Sequence, residues 1–262
     1  MTNKDIIYRH FSRISGIYRD IRTTDRRPIF LIRKDLEGLS TIKAADVGCG
    51  AGRYDRELFS FLGKRLFLFC IDANQKMLLQ LRRYLTMCNI GQFYTIRAIG
   101  GSIPLSTNSL DCVFTFNAVH HFTLLMFLEE SARVLKSNGY LFIYTRLRSQ
   151  NKNNIWGRYF PGFYEKEKRL YYLEEMKLAI TEVSSLKLQA IRYFKFRRLS
   201  NLNFLKEQIR KHHYSTFCFY KKEELDDALQ KFEENIKKKF PDPRRITWID
   251  ENTMFIIRKE SD

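Results

Sequence analysis

The sequence predicts an α/β fold built on a mainly parallel sheet with helices on both faces. Three observations predict it. Strand-like apolar runs alternate with helix-spaced segments between residues 43 and 145. The first run, Ala44 to Val47, opens into a loop with a glycine at every second position: Gly48, Gly50 and Gly52. The second run, Leu66 to Ile71, ends in Asp72, twenty-six residues after Asp46.

Glycine admits positive φ and has no Cβ, so backbone in such a loop can touch a ligand. The helix that follows aims its free N–H groups at that ligand. The structural alternative is an ordinary tight turn. An acid ending the second strand of a doubly wound sheet is placed to hold ribose hydroxyls; for Asp72 the alternative is a helix N-cap. The dinucleotide fingerprint is G-x-G-x-x-G. This loop reads G-x-G-x-G with an acid two residues ahead, which points away from nicotinamide cofactors.

The elements follow from periodicity. Ile6, Ile7, Phe11, Ile14, Ile17 and Tyr18 recur at helical spacing, and Pro28 opens a second helix through Phe30, Leu31, Leu36 and Leu39. Strands are expected at 43–47, 66–71, near 93–98, at 111–116 and at 140–145. Helices are expected at about 53–62, 74–88 and 123–136. Beyond them a charged helix is expected over 165–183, with Leu170, Leu173, Met176, Ile180 and Val183 on one side. Residues 186–196 alternate as a strand, and 253–258 read as the last strand. Between those two lie two helices, the second marked by Leu225, Leu229, Phe232, Ile236 and Phe240. This insertion reads as a cap over the active site or as an extra packing layer, and both can hold.

The motif blocks resemble those of the class I S-adenosylmethionine (SAM) dependent methyltransferases, in the type 11 branch. The likeness runs from the glycine loop and Asp72 through Gly101-Ser102-Ile103-Pro104-Leu105 and Ser109 to Phe114. It continues through Asn117 to Phe122 and Arg133 to Leu141, covering roughly residues 40–145. The resemblance implies a Rossmann-like seven-stranded sheet with an N-terminal helical lid (1–40) and a SAM-binding core (41–198). It further implies a helical cap inserted between the last two strands (199–245) and a final strand completing the core (246–262).

It also implies roles. Asp46 serves the methionine amino group, directly or through water, and Gly48, Cys49, Gly50 and Gly52 form the loop passing the cofactor. Asp72 takes the ribose hydroxyls, with Ala73 and Met77 near the adenine. Asn117 lies beside the methionine moiety. Tyr18 and Arg22 share a helix face in a segment that closes over the cofactor. Arg22 pairs with the SAM carboxylate or, alternatively, with Asp25 on the surface. His120 and His121 are the catalytic candidates, as proton acceptor or substrate-orienting group; capping or packing is the other reading.

One position departs from the family. Relatives carry an Asp five residues before the Leu-Pro pair of this block, where it accepts from the adenine amine; here Ile99 stands, followed by Gly100 and Gly101. Adenine then falls to backbone from Gly100 to Ile103, or to Ser102. No metal is required for the displacement, and S-adenosylhomocysteine is the expected product.

The 262 residues, 44% hydrophobic, suffice for one large α/β domain with an appended cap. No stretch approaches the roughly 18 apolar residues of a membrane span, and Met1 to Asp5 show no apolar leader. Five scattered cysteines without a C-x-x-C pair argue against a disulfide framework or zinc site and suit the cytoplasm. The net charge of +17 favours polyanionic partners. Residues 1–145 carry 20 basic and 12 acidic side chains, and residues 146–262 carry 26 and 17. The charge is spread, which also suits the proteome of a lysine-rich organism.

Basic and aromatic residues interleave in Arg146, Arg148, Trp156, Arg158, Tyr159, Phe160, Phe163 and Tyr164, and again over 211–217. Such mixtures suit stacking on a base or an apolar pocket with an anionic group. The expected function is methyl transfer from SAM to a small-molecule acceptor. The alternatives are an RNA methyltransferase and a catalytically silent SAM-binding module. The Ala118 to Phe122 block is somewhat similar to the tRNA wobble-uridine branch.

Overall fold

The computed structural model describes residues 2–261. In chain order the elements are α1 (Asn3–Ile14), α2 (Tyr18–Ile21), α3 (Arg27–Asp35), β1 (Ile42–Val47), α4 (Arg53–Leu62), β2 (Leu66–Asp72) and α5 (Gln75–Met87). Next come β3 (Phe93–Arg97), β4 (Leu110–Phe116), α6 (Leu124–Val134), β5 (Leu135–Thr145), α7 (Arg148–Asn153), α8 (Ile155–Tyr159) and α9 (Phe163–Lys166). The chain ends with α10 (Leu173–Glu182), β6 (Leu186–Ser200), α11 (Leu202–Arg210), α12 (Lys222–Lys239) and β7 (Ile246–Lys259).

The seven strands form one sheet in the order β3-β2-β1-β4-β5-β7-β6. The first five pair in parallel, and β7 runs antiparallel to β5. This is the sheet that the alternating pattern predicts. Strand β1 lies centrally, with Asp46 opposite Cys70 of β2 and Phe114 of β4. Because the order reverses across β1 and β4, ligands are expected beyond the carboxyl ends of these strands.

The chain divides into two compact units. The larger holds Ser15–Thr145, Leu173–Arg192 and the residues from Thr253 onward. Its core is the sheet, where Ala44, Ala45, Leu68, Val113 and Phe142 are fully buried. The helix α4 packs an apolar stripe that includes Leu58 and Leu62.

The smaller unit holds the chain up to Ile14, Arg146–Tyr172 and Tyr193–Asn252. Helix α1 starts on a reciprocal cap: Asp5 N donates to Thr2 Oγ1, and Thr2 N donates to Asp5 Oδ2. The unit's core gathers Trp156, Phe160 and Phe163 with Phe217 and Phe232. The Trp156 ring stacks on Phe232 at 5.4 Å and meets Phe217 edge-on at 5.7 Å. These aromatics are therefore packing residues, which corrects their reading as a stacking platform for a base. Their faces are buried against one another, whereas Tyr159, Tyr164 and Tyr214 of the same runs are only partly buried.

The expected helix over 165–183 is also corrected. It is two helices, α9 and α10, broken between Lys166 and Leu173. The cause is Glu167, which turns inward and accepts from Arg169 Nε at 2.8 Å and from Thr216 Oγ1 at 2.5 Å. Burial raises the cost of its charge, but Arg169 and Thr216 outweigh that and hold its carboxyl below the usual range. A helical backbone through Glu167 would leave this buried acid without those partners.

Candidate active site

The loop after β1 is tied down by its own backbone. The N–H groups of Gly48 and Cys49 both donate to Ile71 O, at 2.8 and 3.1 Å. Gly48, Gly50 and Gly52 all have positive φ, at 77°, 58° and 84°. A Cβ on Gly48 would lie 2.4 Å from the Ala118 Cβ, and one on Gly52 would lie 2.9 Å from Leu81 Cγ. Gly50 is different: its nearest neighbour would be Tyr18 Cε1 at 3.5 Å. The outer glycines are needed for packing, and the middle one leaves room for backbone to meet a ligand.

Asp72 accepts from Gly50 N at 2.9 Å and from Asn74 N at 2.7 Å. It is not the N-cap of α5. That position belongs to Asn74, whose side chain accepts from Lys76 N and Met77 N. Burial pushes the Asp72 carboxyl up, and the two backbone donors oppose the rise. Beside it Ala73 is exposed, whereas Met77 is buried at 1%.

Asp46 lies at the end of β1 and is 1% exposed. Among the described residues its Oδ1 has no hydrogen-bond partner. Burial pushes this carboxyl well up, and the neighbouring charges of Asp55 and Asp72 add to the effect, against Arg53. The Asp55 carboxyl, wholly buried on the first turn of α4, is pushed up to about 7 by burial.

Tyr18 and Arg22 come together as expected. The Arg22 guanidinium lies 5.7 Å from the Tyr18 ring centre, and that of Arg53 lies 6.0 Å from it. Burial opposes ionisation of the Tyr18 phenol, but hydrogen bonds and charge from Arg22 and Arg53 outweigh it and lower its pKa. Asp25, offered as a surface partner for Arg22, is instead buried and accepts from Tyr144 Oη at 2.9 Å.

Asn117 follows β4 in the left-handed region, φ 54°, and its N–H donates to Tyr144 O at 2.7 Å. His120 and His121 sit on the short 3-10 turn Val119–His121 with ring centres 4.1 Å apart. Ile99 is 60% exposed. Of the backbone groups assigned to adenine, Ser102 N donates to Ile99 O and Ile103 N donates to Glu130 Oε2 at 2.6 Å. That leaves Gly100 and Gly101 as the backbone candidates.

Sequence reading missed Asp55 and Cys70. The signal was present: Leu58 and Leu62 follow Asp55 at three and seven residues, which puts the acid on the buried stripe of α4. Among the described residues, no group of three or more His, Cys, Asp or Glu is arranged to hold a metal ion. No described helix is long and apolar enough to cross a membrane.

The profile of the family described as "Methyltransferase domain" matches residues 45–143. Solved structures share the fold. YcgJ from Bacillus subtilis has 14% identity and a TM-score of 0.61, covering 91% of this chain and 100% of that one. Phosphoethanolamine N-methyltransferase 2 of Haemonchus contortus, solved with phosphomonomethylethanolamine and S-adenosylhomocysteine, has 14% identity and a TM-score of 0.63. That alignment covers 100% of this chain and 61% of the other. The [4+2]-cyclase SpnF has 13% identity and a TM-score of 0.60, over 90% of this chain and 81% of its own. No curated protein sequence matches.

The seven-stranded sheet is the fold that these solved structures share, and residues 45–143 within it match the methyltransferase-domain family. The matched span runs from β1 to β5.

Proposed function

We propose that the glycine loop binds SAM and that the chain transfers its methyl group to a small-molecule acceptor. The observation that carries the cofactor assignment is Asp46 Oδ1, buried and without a hydrogen-bond partner among the described residues, beside a loop of three positive-φ glycines. The residues present fit the cofactor. Asp46 offers an acceptor for its ammonium, and the Gly50 position has space where a side chain would intrude. Asp72 takes the ribose hydroxyls with lone pairs beyond those used by Gly50 and Asn74. Arg22 offers a guanidinium to the carboxylate. Gly100, Gly101 and Ser102 face the base, with Ala73 beside them; Met77 and Ile103, both buried, form the packing beneath it.

When bound, SAM supplies a methyl group already activated by its sulfonium charge. The protein's work is to hold the reacting atoms in line and to exclude water. Asn117 and one of His120 and His121 hold the acceptor side, the histidine orienting or deprotonating the acceptor. Acceptor choice is assigned to residues outside 45–143. The related fold of the Haemonchus enzyme, solved with a small phosphorylated amine, supports a small acceptor.

The decisive test combines purified protein, methyl-tritiated SAM and a cell extract. Label in the acid-soluble or solvent-extractable fraction supports the small-molecule reading. Label in acid-precipitable, RNase-sensitive material overturns it in favour of RNA methylation, which the net charge of +17 supports. Asp46→Ala abolishes SAM binding under either reading, and unchanged binding would remove the cofactor assignment. SAM binding without label in any fraction identifies a silent module.

A further inference from the structure

We propose that Asp55 is a positioning residue of the cofactor cradle: it shares one buried proton with Asp46, and that proton leaves when a ligand ammonium reaches Asp46. The inference rests on the assignment of Asp46 to the methyl donor.

The two acids stand on different elements and meet around one thiol. Asp46 on β1 lies opposite Cys70 across the ladder to β2. The Cys70 thiol donates to Asp55 Oδ1 at 3.2 Å. Asp46 is 1% exposed and Asp55 0%. Among the described residues, Asp46 Oδ1 and Asp55 Oδ2 are buried without a hydrogen-bond partner. Two neighbouring bare carboxylate oxygens cannot both stay ionised away from water, because each lacks a donor and each repels the other. One proton between them serves both.

The surroundings offer little other compensation. From α4, Arg53 opposes the charge of Asp46, but its guanidinium also donates to Thr23 O and lies 4.4 Å from the Tyr54 ring centre. From β2, Asp72 adds negative charge. The loop adds Cys49, whose thiol burial and nearby acids keep protonated, as they do that of Cys70. From β4, the residue in register with Asp46 is Phe114, which carries no charge. Burial pushes both acids up; the charge of Asp55 adds to the effect at Asp46, and that of Asp72 adds to it at Asp55, in agreement with a proton held in this cluster. The pair titrates as a unit.

The consequence is a proton count. In the free chain near neutral pH the pair carries one negative charge. An ammonium at Asp46 stabilises the second ionisation, and the displaced proton passes to buffer. Affinity for the cationic ligand therefore falls as pH falls below the pair's upper titration, by up to about tenfold per pH unit for one linked proton.

The test is calorimetric titration with SAM in phosphate and in Tris, whose ionisation heats differ, across pH 5.5 to 8. The native chain should release close to one proton, with affinity dropping toward acid pH. Asp55→Asn keeps the side-chain shape and an acceptor for Cys70; its pH window should move acid, with release at neutral pH falling toward zero. Cys70→Ala removes a hydrogen bond that favours ionised Asp55, so its window should move alkaline. Opposite shifts from two neighbouring variants are not the signature of a folding defect. Equal proton release in all three proteins, or none in a native chain that binds SAM, overturns the inference.

Absence of SAM binding in the native chain would sink the cofactor reading instead. Infrared difference spectra of the ligand-free proteins then decide the shared proton alone. A protonated-carboxyl band at neutral pH, lost in Asp55→Asn, supports it, and absence of that band in the native chain overturns it.

Discussion

Gly50 N donates to Asp72 Oδ2 at 2.9 Å, so the middle of the glycine loop and the acid ending β2 are one hydrogen-bonded unit. The same carboxylate accepts from Asn74 N, which joins the start of α5 to that unit. Asp72→Ala would leave both N–H groups without this acceptor, at a cost of about 1–3 kcal/mol for each that stays buried. The expected result is a lower melting temperature without ligand, together with weakened SAM binding. A ligand-only role for Asp72 predicts no change in the ligand-free melt.

The three glycines should separate on substitution. Gly48→Ala places a Cβ 2.4 Å from that of Ala118 at φ 77° and should cost about 2–4 kcal/mol of folding free energy. Gly50→Ala meets Tyr18 only at 3.5 Å. It should cost about 1–2 kcal/mol, the strain of its positive φ, while reducing SAM affinity. Urea unfolding and calorimetric binding, measured on both variants, separate the two effects.

The ligand-free protein should lose stability as pH rises. Unfolded, Asp46 and Asp55 ionise near pH 4. Folded, burial holds Asp55 protonated up to about pH 7 and pushes Asp46 well up as well. Between these limits the folded state binds more protons than the unfolded state, so stability falls as pH rises. The slope is about 1.4 kcal/mol per pH unit for each proton held. Thermal melts from pH 5 to 8 should decline in the native chain and decline less steeply in Asp55→Asn, where buried Asp46 remains. A flat native profile contradicts the prediction.

Trp156→Ala removes the ring packed on Phe232 and Phe217 in the smaller unit. A loss of about 3–5 kcal/mol is expected. Urea unfolding followed by far-ultraviolet circular dichroism checks it. A change below 1 kcal/mol would reopen the reading of this ring as a ligand platform.

Ile99→Asp introduces the acid that the family resemblance places against adenine. Ile99 is 60% exposed, so the carboxylate carries little burial cost there. One net hydrogen bond of about 1 kcal/mol should tighten SAM binding roughly fivefold. Unchanged affinity would place the adenine elsewhere.

The parallel half of the sheet was legible because each strand there carries a short, mostly apolar run closed by a turn. Helix α4 was legible in both bounds because Gly52 starts it and Gly63 ends it. The glycine loop was legible because its spacing serves a backbone need rather than a side-chain one. The acid pair was not, since a carboxylate on an amphipathic helix reads as solvent-facing until its burial is seen. The break at Glu167 was hidden for the same reason: its partner Thr216 lies 49 residues away, and no local pattern reports it. Strand β7 begins at Ile246, before the expected 253, because Thr247 and the polar run Asp250 to Asn252 interrupt its early half, which forms no apolar run.

Glu130 occupies Ile103 N, and Arg133 holds that same carboxylate and donates to Ile103 O at 2.7 Å. On the proposed reading, the purine edge therefore meets two glycines and a serine instead of a charged partner matched to one exocyclic amine. Such a wall has no acid to lose when that amine is altered. Alkylation of that amine should therefore cost this chain less donor affinity than it costs a protein that holds the amine with an acid. Competition between SAM and a base-alkylated analogue measures that tolerance, and complete exclusion of the analogue would refute it.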